Sequence, residues 1–484
     1  MSAYPMTKPK VTITILHTND IHSHLEEASR IAGYVAETRR TVDPERLLVV
    51  DCGDFLDRAR METEGSQAAV NRALLEAIGY DAASIGNNEG LSYTPDELDG
   101  IFAGTNVPIV CANMTLARSG DRPSWMIPSL KVTKSGVRIG LIGLTAPYAE
   151  YYKLLGWDVS DPLNALRAEA ERLRPEVDAL VLLSHLGLPT DEKIAASVPG
   201  IDLILGGHTH HLLEVPLVVG AAAISAAGKF GAYVGRLELA FGANNELLGV
   251  TGGCRATDGL PTSPDADGLI AAYWKMANEK LGRKVATLRK PLSLRYDRES
   301  ELPTLLAAAV RRMAGAEIGI VNAGQLLSGL PSGDVTEAIV HEICPSPINP
   351  CSLTLRGSRI VRALEESLLP EFQNMEIRGF GFRGRVLGAL CVDGLEVTAD
   401  LGQAPYRKIL SVTVNGVPLD ENHDYAVATL DMFTFGVGYL SLKEGRELRY
   451  YLPEFIRDLL ARALNVPDWV EQAGIARWRL IGEA

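Results

Sequence analysis

The sequence predicts an α/β protein in two domains, and three observations carry that prediction. Short apolar runs alternate with helix-period segments along most of the chain, the pattern of stacked α/β layers. In the first half, each apolar run ends in Asp, Asn or His. A stretch rich in Gly, Pro, Thr, Ser and Asp, 252–268, separates the two halves and reads as a linker.

In chain order, 11–16 mixes β-branched and apolar residues and predicts a buried strand, running into His17-Thr-Asn-Asp20-Ile-His22-Ser-His24. Residues 29–40 predict a helix, and 47–50 a second strand feeding Asp51-Cys-Gly53-Asp54-Phe-Leu-Asp57. Helical spacing over 67–78 is followed by a short strand at 82–85 and then Gly86-Asn87-Asn88-Glu89. A fourth strand, 108–111, has Asn113 just beyond it. Residues 136–144 read as a hairpin arm and strand, 162–173 as a helix, and 179–184 as a strand ending at His185. The next strand leads into Ile204-Leu-Gly-Gly-His-Thr-His210, with His211 beyond. Glycines after an apolar run end the strand and let the backbone turn sharply.

Composition narrows the class. The chain has 484 residues, 46% hydrophobic and 22% charged, an ordinary globular balance for two to four domains. A net charge of −13 argues against a nucleic-acid surface, while a bound metal can still invert the local sign for an anionic substrate. No apolar stretch reaches the length of a membrane span, so no membrane partner is expected. Residues 1–10 are polar and lack the apolar core of a secretory signal. The six cysteines, Cys52, Cys111, Cys254, Cys344, Cys351 and Cys391, form no Cys-x-x-Cys pair, and together these features predict a cytoplasmic protein with reduced thiols.

Any one polar strand end reads first as a turn or cap. A metal-ligand residue type at five successive strand ends, where open α/β sheets place their ligand sites, predicts a metal site instead. Imidazole nitrogens mixed with carboxylate and amide oxygens suit Mn, Zn, Fe, Co or Ni better than Ca or Mg. Two such divalent ions bridged by one carboxylate clamp both oxygens of an in-line phosphoryl displacement and lower the pKa of bound water.

Asp20-x-His22, Gly53-Asp54, Gly86-Asn87, His185 and Gly207-His208-x-His210 resemble, in order and spacing, the calcineurin-like metallophosphoesterases. The context Ile15-Leu-His-Thr-Asn-Asp-Ile-His-Ser-His24 looks more narrowly like the 5′-nucleotidase branch. The resemblance implies an α/β/β/α sandwich over 1–255, a linker and connecting helix over 256–283, and an α/β substrate-recognition domain over 284–484. It puts Asp20, His22 and His210 on one metal ion, Asn87, His185 and His208 on the other, and Asp54 between them. Asn88, Asp54 and His185 fall at its catalytic positions, and Asn113 near the phosphate. It implies metal-bound hydroxide attack on a small phosphorylated substrate, a nucleotide or relative.

Beyond the linker, helices are predicted at 269–281, 302–314, 358–368 and 453–464, and strands at 318–321, 352–355, 406–414, 424–430 and 448–452. Arg298-Glu-Ser300, Ile318-Gly-Ile-Val-Asn322-x-Gly324, Gly333-Asp-Val-Thr336 and Gly436-x-Gly438-Tyr439 resemble the family's second domain. There two aromatic rings sandwich the base. Phe380 or Phe382, and Phe433 or Phe435, are the rings available here, with Asn322 as a polar contact; core packing is the competing reading of each ring. In the family the two domains also rotate about the linker to close over substrate.

Three positions depart from the resemblance. Asn88 and Leu91 stand where the family has a His and its supporting carboxylate beside the scissile phosphate. Asn88 donates hydrogen bonds but cannot give up a proton, and Glu89, His24 or His211 are the alternative acids. Leu327 replaces an arginine that holds phosphate, and Val437 replaces an aspartate near the ribose. These substitutions shift the expected reaction toward altered specificity. Besides 5′-nucleotide hydrolysis, they leave open a phosphodiesterase or pyrophosphohydrolase acting on a cyclic nucleotide or nucleotide sugar, and a non-catalytic phospholigand-binding protein.

Overall fold

The computed structural model describes residues 9–379 and 381–482. The chain divides between Ala277 and Asn278 into two compact units.

The first unit holds two stacked sheets. One has seven strands in the order Leu247–Ala256, Tyr233–Phe241, Val11–Thr18, Leu47–Asp51, Ala82–Ser84, Ile109–Val110, Met126–Ile127. The other has six, in the order Leu217–Val219, Ala222–Ala226, Leu203–Gly206, Ala179–His185, Val137–Thr145, Ser129–Lys134. Period-2 alternation explains how they stack. Ala179, Val181 and Leu183 turn inward with Leu141 and Leu205 onto Ile13, Ile15, Leu48 and Val50 of the first sheet. Leu180 and Leu182 turn outward onto Leu166, Ala170 and Leu173 of the helix Pro162–Leu173 and Ile194 of Leu188–Ser197. Helices Leu25–Thr41 and Ala69–Ile78, burying Ile31, Val35, Leu74 and Leu75, supply the remaining layer. The result is the α/β/β/α sandwich.

The helices start where local chemistry lets them. Pro162 and Pro95 occupy first-turn positions that need no N–H. Asp161 accepts from the Asn164 N–H at 2.8 Å, and Thr94 and Glu97 cap one another. The two sheets approach closely at Gly143, where a Cβ would stand 1.9 Å from the Val110 carbonyl oxygen, so no larger residue fits.

One expectation needs correction. Residues 252–268 are irregular only over 257–263: Leu247–Ala256 is a strand antiparallel to Tyr233–Phe241, and the helix Pro264–Leu281 begins inside the stretch. Gly252 and Gly253 serve close packing, since a Cβ on either would meet the Arg236 or Glu214 carbonyl oxygen within 2.2 Å. At these two positions glycine records backbone approach rather than chain freedom.

The second unit is built on a five-stranded sheet ordered Leu390–Asp393, Ile318–Asn322, Asp424–Leu430, Pro350–Arg356, Arg446–Tyr450. A four-stranded sheet ordered Val417–Pro418, Ile409–Val414, Leu395–Asp400, Trp478–Ile481 and a pair formed by Lys284–Leu288 and Gly333–Thr336 complete it. The helix Glu301–Ala314 buries Leu302, Leu305, Leu306 and Val310 in the core. Asp393 ties three elements together: it is buried, and accepts from Arg311 Nε at 2.6 Å and Arg477 at 2.8 Å. Asp393→Ala leaves two guanidiniums facing one another without their shared anion, and should lower stability by about 3 kcal/mol in urea unfolding of the second unit's transition. A change below about 0.5 kcal/mol, the range of ordinary surface substitutions, would contradict this role.

Candidate metal centre

The parallel strands of the first unit bring their carboxyl ends to one edge. Asp20 and His22 follow Val11–Thr18, and Asp54 follows Leu47–Asp51. Asn87 opens the helix Asn87–Ser92 after Ala82–Ser84. His185 ends its strand, and His208 and His210 follow Leu203–Gly206.

Their donor atoms converge. Asp20, His22 and His210 form one group, and Asp20, Asp54 and His185 another, each with ligand atoms within 4.8 Å of one another. In the first, His22 Nε2 lies 3.2 Å from His210 Nε2, and Asp20 Oδ1 lies 3.3 Å from the latter. Asp54 Oδ2 stands 3.7 Å from His22 Nε2 and 3.2 Å from His185 Nε2, so it reaches both groups. Asp20 Oδ1 also reaches across, 3.8 Å from His185 Nε2. Asn87 Oδ1 and His208 Nδ1 meet at 2.7 Å, and the His185 and His208 rings are 5.4 Å apart.

The donor set fits transition-metal ions, and His185 supplies the test. Its Nδ1 lies 2.9 Å from the Cys52 carbonyl oxygen, which can only accept, so Nδ1 carries the proton. Its Nε2, buried and without a further hydrogen-bond partner, faces two carboxylates, and once its own proton leaves it presents a lone pair there. A buried lone pair so placed is what a metal ion satisfies. Backbone strain marks the same atoms. Asp20 (φ 51°), His22 (48°), Asp54 (54°), His208 (72°) and His210 (58°) all occupy the left-handed region, which residues with a Cβ enter at a cost.

Charge is distributed accordingly. Burial alone would raise Asp20, but the His185 charge and hydrogen bonds from His210 and His22 hold it well below the usual carboxylate range. Burial would lower His22, yet Asp20, Asp57 and Asp54 raise it to about 10. His185 likewise resists burial and rises to about 10, through Asp54 and Asp20. Beneath the cluster, burial lifts Glu89 to about 7, and its carboxylate accepts from the N–H groups of Asp54 (3.1 Å), Leu56 (2.9 Å) and Gly86 (2.9 Å). Glu89 is a loop clamp, and with 1% exposure it cannot serve as the substituting acid.

Several expected contacts are spent elsewhere. The Asn88 amide lies 2.8 Å from His22 Nδ1 and 3.3 Å from the Leu56 carbonyl, so it turns down onto a ligand histidine. Asn113 donates to Thr145 O at 2.9 Å and accepts from Thr145 N at 3.0 Å; it clamps a strand end instead of facing a phosphate. Asn322, fully buried, donates to Leu387 O and accepts from Gln325. Phe433 and Phe382 are core side chains, 0% and 4% exposed, so neither offers a ring face for stacking. Phe435 is half-buried against that core, and Phe380 lies outside the described residues. His24 stacks on Phe230 with ring centroids 4.2 Å apart, and His211 pairs with Thr209 Oγ1.

Other residues at the centre were missed. Asp57 Oδ2 is 3.5 Å from His22 Nδ1, a contact signalled only by its place in the Gly53-Asp54 block. Tyr148 Oη is 3.2 Å from His208 Nε2. Tyr148 follows a strand that carries no ligand-type residue, so no sequence pattern pointed to it.

Residues 13–212 match the calcineurin-like phosphoesterase family and 284–443 the 5′-nucleotidase C-terminal domain. The uncharacterized metallophosphoesterase YunD of Bacillus subtilis (strain 168) is 36% identical over 93% of this chain and 99% of its own. The chain belongs to the calcineurin-like metallophosphoesterases of the 5′-nucleotidase family. It is thus a member of a family of metal-dependent phosphoric ester hydrolases. The 5′-nucleotidase of Bos taurus is 24% identical over 85% of this phosphoesterase and 79% of its own length. The solved NAD nucleotidase (NadN) of Haemophilus influenzae shares the fold at a TM-score of 0.68, covering 98% of this phosphoesterase and 99% of that chain at 17% identity.

Two outcomes follow for the phosphoesterase. A Cβ on Gly86 would stand 2.1 Å from Asp54 Oδ1; Gly86→Ala should displace that carboxylate and lower Mn²⁺ occupancy by at least one ion in metal analysis, and full occupancy would refute it. Metal uptake must also release the protons that His22 and His185 hold below about pH 10. Mn²⁺ affinity, followed by calorimetry, should therefore rise roughly tenfold or more per pH unit from 6 to 8, and a flat profile would contradict it.

Proposed function

We propose that this chain hydrolyses a nucleotide or related small phosphate ester with two divalent transition-metal ions, drawn from Mn, Zn, Fe, Co or Ni. Asp20, His22 and His210 would hold one ion, and Asn87, His185 and His208 the other, with Asp54 shared. The observation that carries this reading is the orphaned Nε2 of His185 facing the Asp54 and Asp20 carboxylates. When bound, the ions supply Lewis acidity at the phosphoryl group and a nucleophile from water at neutral pH.

The chain's own residues do the positioning. Cys52 O fixes the His185 ring, and the Asn88 N–H donates to Asp54 Oδ1 at 2.7 Å, leaving Oδ2 turned to the histidines. His208 N donates to both Asp20 oxygens, 3.1 and 2.9 Å away, so the loop carrying two ligands is tied to a third. Preorganised polar groups of this kind need no rearrangement during reaction.

A second reading draws on Asn88. Its amide gives no proton and is committed to His22 and Leu56. Cleavage of a cyclic diester or a pyrophosphate bond, whose leaving group needs less protonation, suits that arrangement better than a 5′-monoester. Six unpaired cysteines, five of them buried, support a reducing, cytoplasmic setting.

The test is phosphate or alcohol release by the Mn²⁺-loaded protein from 5′-mononucleotides, a 2′,3′-cyclic nucleotide, a nucleotide sugar and nitrophenyl mono- and diesters. Turnover of at least one is expected. Asp54→Ala should lower it by about 10³-fold or more and remove at least one ion. Two bound ions without turnover of any ester would favour a phospholigand-binding module instead.

A further inference from the structure

The Ala-Pro-Tyr148 turn after the strand Val137–Thr145 is held in place from three sides. The Asn113 amide brackets Thr145 through two hydrogen bonds. Tyr152, fully buried, meets Thr145 Oγ1 at 3.0 Å. Its ring lies so close to Gly90 that a Cβ there would stand 2.0 Å from Tyr152 Cε1. The helix Ala149–Leu155 is therefore docked on Asn87–Ser92, the helix carrying positions 88 and 91. Tyr148 stands at the N-terminal end of that docked helix, and the residue remains 41% exposed.

Filling the site would decide where the Tyr148 proton points. His208 Nδ1 faces Asn87 Oδ1 at 2.7 Å, on the side of the ligand cluster. Without an ion, Nδ1 carries the ring proton and donates to the Asn87 oxygen; with Nδ1 used as a ligand atom, the proton would move to Nε2, which lies 3.2 Å from Tyr148 Oη. The phenolic oxygen would then accept that proton's hydrogen bond, and its own O–H would turn away from His208. Accepting a bond also strengthens the bond the hydroxyl can donate.

We propose that Tyr148 is a substrate-contacting residue, its O–H donating a hydrogen bond to a non-bridging phosphate oxygen beside the second ion. It supplies polar contact on the face where Asn88 has turned away. No proton is transferred; the phenol stabilises charge on the phosphoryl group as a neutral donor. This inference rests on the phosphoesterase reading of the cluster.

The experiment compares wild type and Tyr148→Phe, both loaded with Mn²⁺, by metal content, calorimetric binding of inorganic phosphate, and kcat/KM for nitrophenyl phosphate. Expected are two ions per chain in both proteins, phosphate affinity about tenfold weaker in the variant, and kcat/KM lower by about 10- to 100-fold. Phosphate affinity and kcat/KM within twofold of wild type would overturn the contact. Loss of an ion from the variant would also overturn it, showing that the hydroxyl only orients His208. Wild-type protein that keeps its ions yet neither binds phosphate nor cleaves any ester overturns the phosphoesterase reading, and this inference with it.

Discussion

Two carboxylates taken almost wholly out of water, Asp20 and Asp54, are the constraint to which the first unit answers. Buried anions are costly unless something positive stands beside them. Here the compensation comes from imidazoles: His22 and His185 hold protons in the absence of metal and give them up to it, and the His210 ring stands beside Asp20. The fold supports this with backbone donors. The N–H groups of His208 and Asn88 point at Asp20 and Asp54, and Glu89 gathers three more N–H groups directly below. Glycines at 53, 86 and 207 occupy points where a side chain would strike the carboxylates or the neighbouring loop.

That arrangement explains which parts of the molecule could be read from the sequence. Parallel strands buried on both faces show as unbroken apolar runs, and their ends as abrupt Asp, Asn or His residues, so both the sandwich and the converging ligand types were legible. The antiparallel strand Leu247–Ala256 was not, because it carries Gly249, Gly252 and Gly253 and stands half in solvent, which mimics a loop. Side-chain direction was equally hidden. Asn88 and Asn113 sit at the expected places in chain order, but the amide of one turns onto His22 and that of the other onto Thr145.

The second unit shows the same limit more sharply. The five strands expected there are present, Asp424–Leu430 to the residue, but Leu390–Asp393 of the central sheet, Leu395–Asp400 and Trp478–Ile481, among others, were not foreseen. Two of the four aromatic positions, Phe382 and Phe433, are core side chains. Phe433 packs against Tyr439, and Phe382 is enclosed by the same core. Leu327, 42% exposed, offers no charge where the family has an arginine. Recognition by this unit lacks that guanidinium and the buried rings of Phe382 and Phe433, while the metal cluster retains every residue type of its pattern.

The left-handed backbone at five of the seven ligand positions also bears on how such a protein can change over generations. Glycine, and to a lesser degree asparagine, occupies that region with little strain, whereas His and Asp with a full Cβ cost about 1 kcal/mol or more at each site. Glycine or asparagine at 22, 208 and 210 would therefore relax the backbone while removing three imidazoles, so the stability of the fold and its capacity to hold ions pull in opposite directions at these positions.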